Sequence, residues 1–214
     1  MKQAVERLGM MIRRGYALLF AFVFLFYIGM AALPAYLIPH GHETAGMLIY
    51  KGFFFFCHQY PWRSWFIGGP QAYYPLTKDA GSSVLLFEEA AGVTVSDIKP
   101  KAFYGTPAMG YKMAVCQRDV GIYAAMAVFC LFFSISRNRL PEISWKLWLC
   151  LGVIPMGIDG GWQMLSHLLP GAAVRESTPL MRTITGALFG FLTCWYLLPI
   201  LERSLQKGTE NDCQ

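Results

Sequence analysis

Long apolar runs, separated by shorter polar segments, set the pattern of this chain. Four of them, at about residues 16–38, 120–135, 145–169 and 183–201, approach or reach the length of a membrane-spanning helix. A helix needs about 20 mostly apolar residues to cross the roughly 30 Å hydrocarbon core of a bilayer. The pattern therefore predicts an all-α integral membrane protein with four transmembrane helices.

A shorter apolar run at residues 45–56 ends in four consecutive phenylalanines. It is too short to cross a bilayer, and we expect an interfacial helix there. The segment at about 68–112 is rich in Gly, Pro and Tyr and is predicted to form an extracytoplasmic insertion. Within it, residues 83–87 and 91–95 have the character of two short strands.

The charge pattern supports this class of protein and gives its orientation. Only 14% of the residues are charged, against about 25% in soluble domains. The apolar runs form a single predicted membrane domain at 16–201. Basic residues lie before it at 1–15, after it at 202–214, and within it in the short 137–146 loop. Cytoplasmic loops carry an excess of Lys and Arg, so both termini are predicted to be cytoplasmic in the cell membrane.

The lipid bilayer is therefore the first expected partner, and a membrane-protein partner or a second copy of the chain stays open. No Lys/Arg run interleaved with aromatic residues occurs in the sequence, so no nucleic-acid partner is expected. The sequence also has no P-loop, Rossmann glycine pattern or serine-elbow motif, so no enzyme class is indicated.

Helix rise predicts the depth of the polar residues. At 1.5 Å per residue, Asp159 lies roughly 20 Å along the third predicted helix, in its outer half. Gln163 follows one turn later on the same face. Arg118 and Asp119 begin the second helix at its outer end, and Arg182 begins the fourth. An acid inside a membrane needs a partner, and Arg118 and Arg182 are the candidates for Asp159.

Of six cysteines, only Cys57 and Cys116 fall on the predicted outer side, and three interpretations stay open for them. A structural disulfide would suit an oxidising exterior. A zinc or copper site would use Cys57, His58 and Cys116. A redox-active thiol pair would need a neighbouring arginine, Arg63 or Arg118, to lower a thiol pKa.

Arginine side chains are predicted to collect at the same outer edge. Arg63, Arg118, Arg175 and Arg182 form a set suited to clamping a phosphate or carboxylate group. A lipid headgroup would fit that depth. In the alternative interpretation, these side chains snorkel and form ion pairs with Asp119, Asp159 and Glu176 that only fix helix packing.

Two pairs of glycines predict close helix packing in the outer half of the membrane domain. Gly157 and Gly161 lie on the third predicted helix, and Gly186 and Gly190 lie on the fourth. Small residues four apart allow two helix backbones to approach closely. We therefore expect both pairs to face a neighbouring backbone.

Five motifs follow one another between residues 57 and 190. They are Cys57-His58-Gln59, Arg63-Ser64, Cys116-x-Arg118-x-x-Gly121-Ile122-Tyr123, Pro155 with Asp159-Gly160-x-x-Gln163, and Arg182-x-x-Thr185-Gly186. In order and spacing they resemble a family of prokaryotic predicted membrane proteins known only as domain of unknown function 2085. The resemblance implies a membrane protein but no activity. At position 119 the family resemblance implies Cys or another small polar residue, whereas this chain has Asp119.

These observations together predict one outward-facing polar site. Its residues are Cys57, His58, Gln59, Arg63, Cys116, Arg118, Asp119, Asp159, Gln163 and Arg182. The leading hypothesis is binding or translocation of a small anionic or lipid-headgroup ligand, with arginine as the clamp. Two alternatives stay open: a thiol- or metal-dependent redox protein, and a non-catalytic subunit of a membrane complex.

Overall fold

Most of the chain is helical, with a small sheet on one side of the helices. The computed structural model describes residues 2–77, 83–136, 140–168 and 176–211. The elements in that part of the chain are α1 (Lys2–Leu37), α2 (Glu43–Phe53), β1 (Ser64–Ile67), α3 (Phe87–Ala91), β2 (Gly105–Thr106), β3 (Gly110–Cys116), α4 (Gln117–Ile135), α5 (Trp145–Leu147), a π-helical turn (Trp148–Val153), α6 (Ile154–Leu168) and α7 (Pro179–Asn211).

Three helices in the described residues are long and apolar enough to cross a membrane. Their apolar segments are Gly15–His40 in and just after α1, Gln117–Ile135 in α4 and Pro179–Gln206 in α7, with mean hydropathies of 2.3, 1.6 and 1.8. At most 39% of the residues in their most apolar stretches are buried, so most of these side chains are free to face lipid. The predicted spans at 16–38, 120–135 and 183–201 are therefore found as candidate spans.

The predicted span at 145–169 is helical but interrupted. α5 passes through the π-helical turn into α6, so helix continues from residue 145 to 168. Neither α-helical piece alone has the length of a candidate span. Residue 169 lies outside the described residues. The structure therefore supports three candidate spans rather than the predicted four.

The predicted all-α fold is corrected by a three-stranded antiparallel sheet in the order β1-β3-β2. The predicted strands at 83–87 and 91–95 are wrong in the residues described. α3 occupies Phe87–Ala91 instead, because Glu89 caps its first turn and Gly92 ends it with a φ of 67°. Its buried Phe87 packs with Trp62 and Phe66 in an aromatic core beneath the sheet.

The apolar run at 45–56 is helical over most of its length, as α2, Glu43–Phe53, followed by a turn. α2 packs against α1 and β3. Its Tyr50 is fully buried, whereas Phe55 just beyond its end is 92% exposed. α2 therefore packs on the rest of the protein through Tyr50, whereas Phe55 in the turn that follows is exposed.

Helix α4 packs along α1 and α7 and brings the site residues together. A Cβ atom on Gly186 would lie 2.5 Å from the Arg118 carbonyl oxygen, and one on Gly190 would lie 2.2 Å from that of Ile122. The predicted close approach of this glycine pair is confirmed. The other predicted pair is wrong for the part of the chain that the structure describes, because no neighbouring atom there lies within 4 Å of a Cβ on Gly157 or Gly161.

Candidate functional site

The site begins where strand β3 passes directly into helix α4. Cys116 is the last residue of β3 and also the N-cap of α4, so Gln117, Arg118 and Asp119 form the first helical turn. β1 pairs with β3 in a register that places Ser64 opposite Cys116. The segment leading into β1 therefore lies next to the start of α4, which explains why two motifs distant in sequence meet.

A cavity of about 170 Å³ lies at this junction. It is lined by Phe56, Cys57, His58, Gln59, Tyr60, Arg63, Cys116, Arg118, Asp119, Gln163 and Arg182. All the predicted site residues except Asp159 line this cavity, which we call the polar pocket. Their grouping supports one site, while their functional roles stay predictions.

Asp159 lies behind the polar pocket and holds Arg118. Arg118 Nη2 is 2.5 Å from Asp159 Oδ2, and the two side chains are only 19% and 14% exposed. Ser177 and Thr185 also donate to the Asp159 carboxylate, at 2.5 and 3.4 Å. The ion pair that depth predicted for Asp159 is therefore present, with Arg118 as the partner and not Arg182.

Arg182 pairs instead with Glu176, a residue the predicted site does not include. Glu176 Oε2 accepts from Arg182 Nη2 at 2.5 Å, and the same carboxylate pairs with Arg63 and accepts from Gln163. One carboxylate thus joins the segment before β1, α6 and α7. The alternative interpretation of the sequence names Glu176 as an ion-pair partner of the arginines, and the structure contains these pairs. Arg175, the fourth predicted arginine, lies outside the described residues.

A buried amide extends this network across the sheet junction. Gln117 is fully buried; it accepts from Arg182 Nη1 at 3.1 Å and donates to the Ser64 carbonyl at 3.2 Å. Sequence reasoning did not select Gln117, although it lies in the first turn of α4. Within the described residues, Nε of both Arg118 and Arg182 is buried without a hydrogen-bond partner.

Cys57 and Cys116 are in contact range but are thiols, so the predicted disulfide is absent from the structure. Their sulfur atoms and an Asp119 carboxylate oxygen all lie within 4.8 Å of one another. The hydrogen bond between the thiols lowers the pKa of Cys57 and raises that of Cys116. This follows because the protonated thiol donates to its neighbour, stabilising one thiolate and opposing a second.

His58 lines the polar pocket but is not part of this sulfur–carboxylate cluster. Its ring stacks on Tyr60, with centroids 5.8 Å apart, and the residue is exposed. Asp119 is the third member of the cluster in place of His58. No ion pair to Asp119 occurs among the residues that the structure describes.

Two larger cavities flank the polar pocket, and both have mainly apolar walls. One, of about 610 Å³, shares Arg182 with the pocket and includes Trp62, Trp65 and Leu180 in its lining. The other, of about 490 Å³, shares Gln163 and includes Ile158 and Trp162. An amphiphilic ligand would find polar and apolar surfaces side by side here.

Part of the chain matches a known protein family. Residues 107–196 match a family of predicted membrane proteins, DUF2085. The resemblance expected from the motifs is thus confirmed for this part of the chain. The DUF2085 match contains Cys116, Arg118, Asp159 and Arg182 but begins after Cys57, and the family description gives no activity.

A curated relative of the chain is also without an assigned activity. The chain is 33% identical over 102 residues to the uncharacterized protein MJ1492 of Methanocaldococcus jannaschii. The aligned residues make up 46% of this chain and 59% of the relative, so the chain spans less than two thirds of that protein. No solved structure matches the chain.

Proposed function

We propose that this membrane protein binds a small anionic group, carried by an amphiphile such as an anionic lipid, in the polar pocket. The observation that carries the proposal is the charge on the pocket wall. The lining includes three guanidinium groups, from Arg63, Arg118 and Arg182, but one carboxylate, from Asp119. Guanidinium groups bind phosphate and carboxylate oxygens through paired N–H donors.

The carboxylates that pair with these arginines line other cavities. Glu176 lines the 610 Å³ cavity and Asp159 the 490 Å³ cavity. They hold the guanidinium groups in place, and neither of these two carboxylates lines the polar pocket itself. The buried Nε donors of Arg118 and Arg182 lack acceptors in the described residues. Unmatched buried donors are costly, and ligand oxygen atoms would satisfy them.

Cavity size supports an anionic group attached to an apolar molecule. At about 30 Å³ per water molecule, the polar pocket of about 170 Å³ has room for a phosphate or carboxylate group. The 610 Å³ cavity that shares Arg182 with it has Trp62 and Leu180 in its wall. Acyl or prenyl chains would occupy such a surface.

The packing below the pocket favours binding over translocation. At the other end of α4, Phe129 and Phe133 are fully buried and pack with Cys194 of α7 and Tyr16 of α1. Among the described residues, this aromatic packing leaves little room for a polar ligand between the three helices. Translocation therefore stays a prediction without structural support.

Contacts along α7 support a fourth membrane crossing by residues 145–168. Trp148 donates to Thr193 at 3.0 Å, and Asp159 accepts from Thr185, about two turns of α7 away. The helical run therefore follows α7 in the opposite direction, from its middle to the polar pocket. With four crossings, both ends of the chain would lie on the cytoplasmic side, as the basic residues predict.

The segment 43–56 is proposed to lie at the outer membrane surface. Phe55 is 92% and Phe56 73% exposed, next to the Cys57 that lines the polar pocket. Exposed aromatic side chains at that depth are typical of a membrane interface. They would hold the mouth of the pocket against the lipid headgroups, where an anionic amphiphile is found.

Lipid retention by the purified protein tests the proposed function. Native mass spectrometry of the full chain in detergent would compare phosphatidylglycerol with phosphatidylcholine of the same acyl chains. We expect preferential retention of phosphatidylglycerol and a roughly tenfold loss of affinity in Arg63→Gln, because a charge-assisted hydrogen bond contributes about 1.5–3 kcal/mol. Glu176 keeps its pair with Arg182 in this variant.

Arg203→Gln is the matched control, because Arg203 forms an exposed ion pair with Glu142 away from the polar pocket. It should retain phosphatidylglycerol as the parent chain does. Competition by inorganic phosphate would show whether the anionic group alone is recognised. Equal retention of the two lipids, or an unchanged affinity in Arg63→Gln, would contradict the proposal.

Two other hypotheses from the sequence stay predictions. The contact between the Cys57 and Cys116 thiols is compatible with thiol redox chemistry, although the described residues contain no disulfide. A role as a subunit of a membrane complex, or as a homo-oligomer, would require a partner surface. The exposed apolar side chains of the helices suit lipid as well as protein.

A further inference from the structure

The cluster of Cys57, Cys116 and Asp119 has the composition of a metal site. Its two sulfur atoms and one carboxylate oxygen lie within 4.8 Å of one another. Cys57 comes from the segment after α2, whereas Cys116 and Asp119 come from the start of α4. We propose that these three side chains bind one zinc ion at the wall of the polar pocket.

The spacing of the three ligand atoms is close to what zinc requires. Zinc binds thiolate sulfur at about 2.3 Å and carboxylate oxygen at about 2.0–2.2 Å, so two ligands at the tetrahedral angle lie about 3.5–3.8 Å apart. The three ligand atoms lie within 4.8 Å of one another, so side-chain movements of up to about 1 Å would bring them to this spacing. The register between β1 and β3 and the N-cap position of Cys116 hold the backbone in place.

The donor set selects zinc among the common metals. Mg²⁺ and Ca²⁺ take oxygen ligands almost exclusively, and Cu⁺ prefers a fully sulfur environment. Zinc accepts thiolate and carboxylate together. The site would carry three negative charges against two on the ion, and Arg118 and Arg182 line the same pocket to offset the remainder.

A buried acceptor in the same pocket supports a bound ion with an open position. Gln59 is fully buried and lines the polar pocket, and its Oε1 has no hydrogen-bond partner among the described residues. Its Nε2 is already committed to the Tyr50 carbonyl at 2.8 Å. Three protein ligands leave a fourth position of tetrahedral zinc to a water molecule. Such a water would offer Gln59 the donor that it lacks.

Binding is a ligand exchange in which nothing is oxidised. Zinc forms two bonds to sulfur and one to oxygen, and the two thiol protons leave to solvent. Affinity should therefore rise with pH, since the thiols must ionise before they bind. The ion would hold the segment after α2 against the start of α4, and its fourth position would face the cavity in which the anionic group is proposed to bind.

Metal titration of the reduced full chain in detergent tests the site. After removal of metal by a chelator, Zn²⁺ would be titrated against a chromophoric competitor, and Co²⁺ would be added to a second sample. We expect one zinc per chain and a thiolate-to-cobalt charge-transfer band. Cys57→Ser, Cys116→Ser and Asp119→Asn should each lower affinity by more than the roughly 10–100-fold that loss of an outer hydrogen-bond partner costs.

Two matched variants keep the test specific. Cys150→Ser changes an exposed thiol in the π-helical turn, and His58→Ala changes a pocket residue outside the cluster. Both should bind zinc as the parent chain does. Asp119→Asn keeps the side-chain shape, and circular dichroism with gel filtration would establish that each variant is folded.

Several outcomes would overturn the zinc site. These are no zinc bound by the reduced chain, zinc binding unchanged in all three cluster variants, or cobalt bound without the thiolate band. Arg63→Gln separates this proposal from the proposed function, because it should lose anionic lipid and retain zinc. A chain that binds zinc but no anionic lipid would contradict only the proposed function.

Discussion

At the scale of single residues, Lys112 is the clearest case of a side chain under electrostatic strain. It is fully buried in β3, and its Nζ donates to the carbonyl oxygens of Gln59 and Pro100 at 2.5 and 2.9 Å. Burial lowers the pKa of Lys112 from 10.5 to about 7. Between about pH 7 and pH 10.5 the unfolded chain therefore binds more protons at Lys112 than the folded chain does. The free energy of unfolding rises with pH across that range.

We expect the free energy of unfolding to increase from about pH 7 towards pH 10, by at most about 1.4 kcal/mol per pH unit. Lys112→Met should remove this part of the slope, because no group then loses a proton on folding at that position. Detergent-solubilised protein unfolded by SDS and followed by tryptophan fluorescence would give both curves. Parallel curves for the two proteins would contradict a depressed pKa of Lys112.

The ion pair of Asp159 with Arg118 could be predicted from the sequence because both residues lie on helices, whose rise per residue is known. Helix rise placed Asp159 and Arg118 at one depth, and they form an ion pair. Glu176 precedes α7 in a segment without helical periodicity, so no such arithmetic placed it beside Arg63 and Arg182. The sequence does not single out Gln117, because a neutral amide in the first turn of a helix carries no charge that would require a partner.

At the scale of elements, the contact between α4 and α7 depends on the absence of side chains. A Cβ on Gly190 would meet the Ile122 carbonyl at 2.2 Å, whereas one on Gly157 would meet nothing within 4 Å. We expect Gly190→Ala to destabilise the protein by about 1–3 kcal/mol through overpacking. Gly157→Ala, in α6, should be neutral or stabilising by up to about 1 kcal/mol, since alanine favours helix over glycine.

The same SDS unfolding assay would measure both glycine variants. Gly157→Ala is the matched control, because both positions lie in helices and receive the same added methyl group. Similar destabilisation in the two variants would indicate that backbone contact between α4 and α7 is unimportant.

Helices were easier to predict than strands for a physical reason. Each apolar run carries its own signal, so α1, α4 and α7 could be located without knowing their neighbours. β1 and β3 are stabilised by pairing between residues as distant as Ser64 and Cys116. β3 is also largely apolar and is followed directly by α4, so its sequence alone does not distinguish it from the segment that precedes a helix.

At the scale of the whole molecule, the number of membrane crossings determines where the two ends of the chain lie. Tyr16 in α1 donates to Glu202 in α7 at 3.1 Å, so these two helices meet at the end opposite the polar pocket. Four crossings would place both termini on one side, and three would place them on opposite sides.

We expect both termini to be cytoplasmic when the chain is expressed in a bacterial host. Green fluorescent protein and alkaline phosphatase, fused in turn to each end, would report the side through fluorescence and enzyme activity. An insertion of each reporter after the exposed Val93 provides the outward-facing control. Phosphatase activity at one terminus and fluorescence at the other would contradict a fourth crossing by residues 145–168.

The direct passage from β3 into α4 also has a mechanical consequence. Cys116 is both the last strand residue and the helix cap, so no loop absorbs a displacement between sheet and helix. A displacement of the sheet would be transmitted to Arg118 and from there, through Asp159, to α6. We therefore expect the sheet and the helices to move together rather than independently.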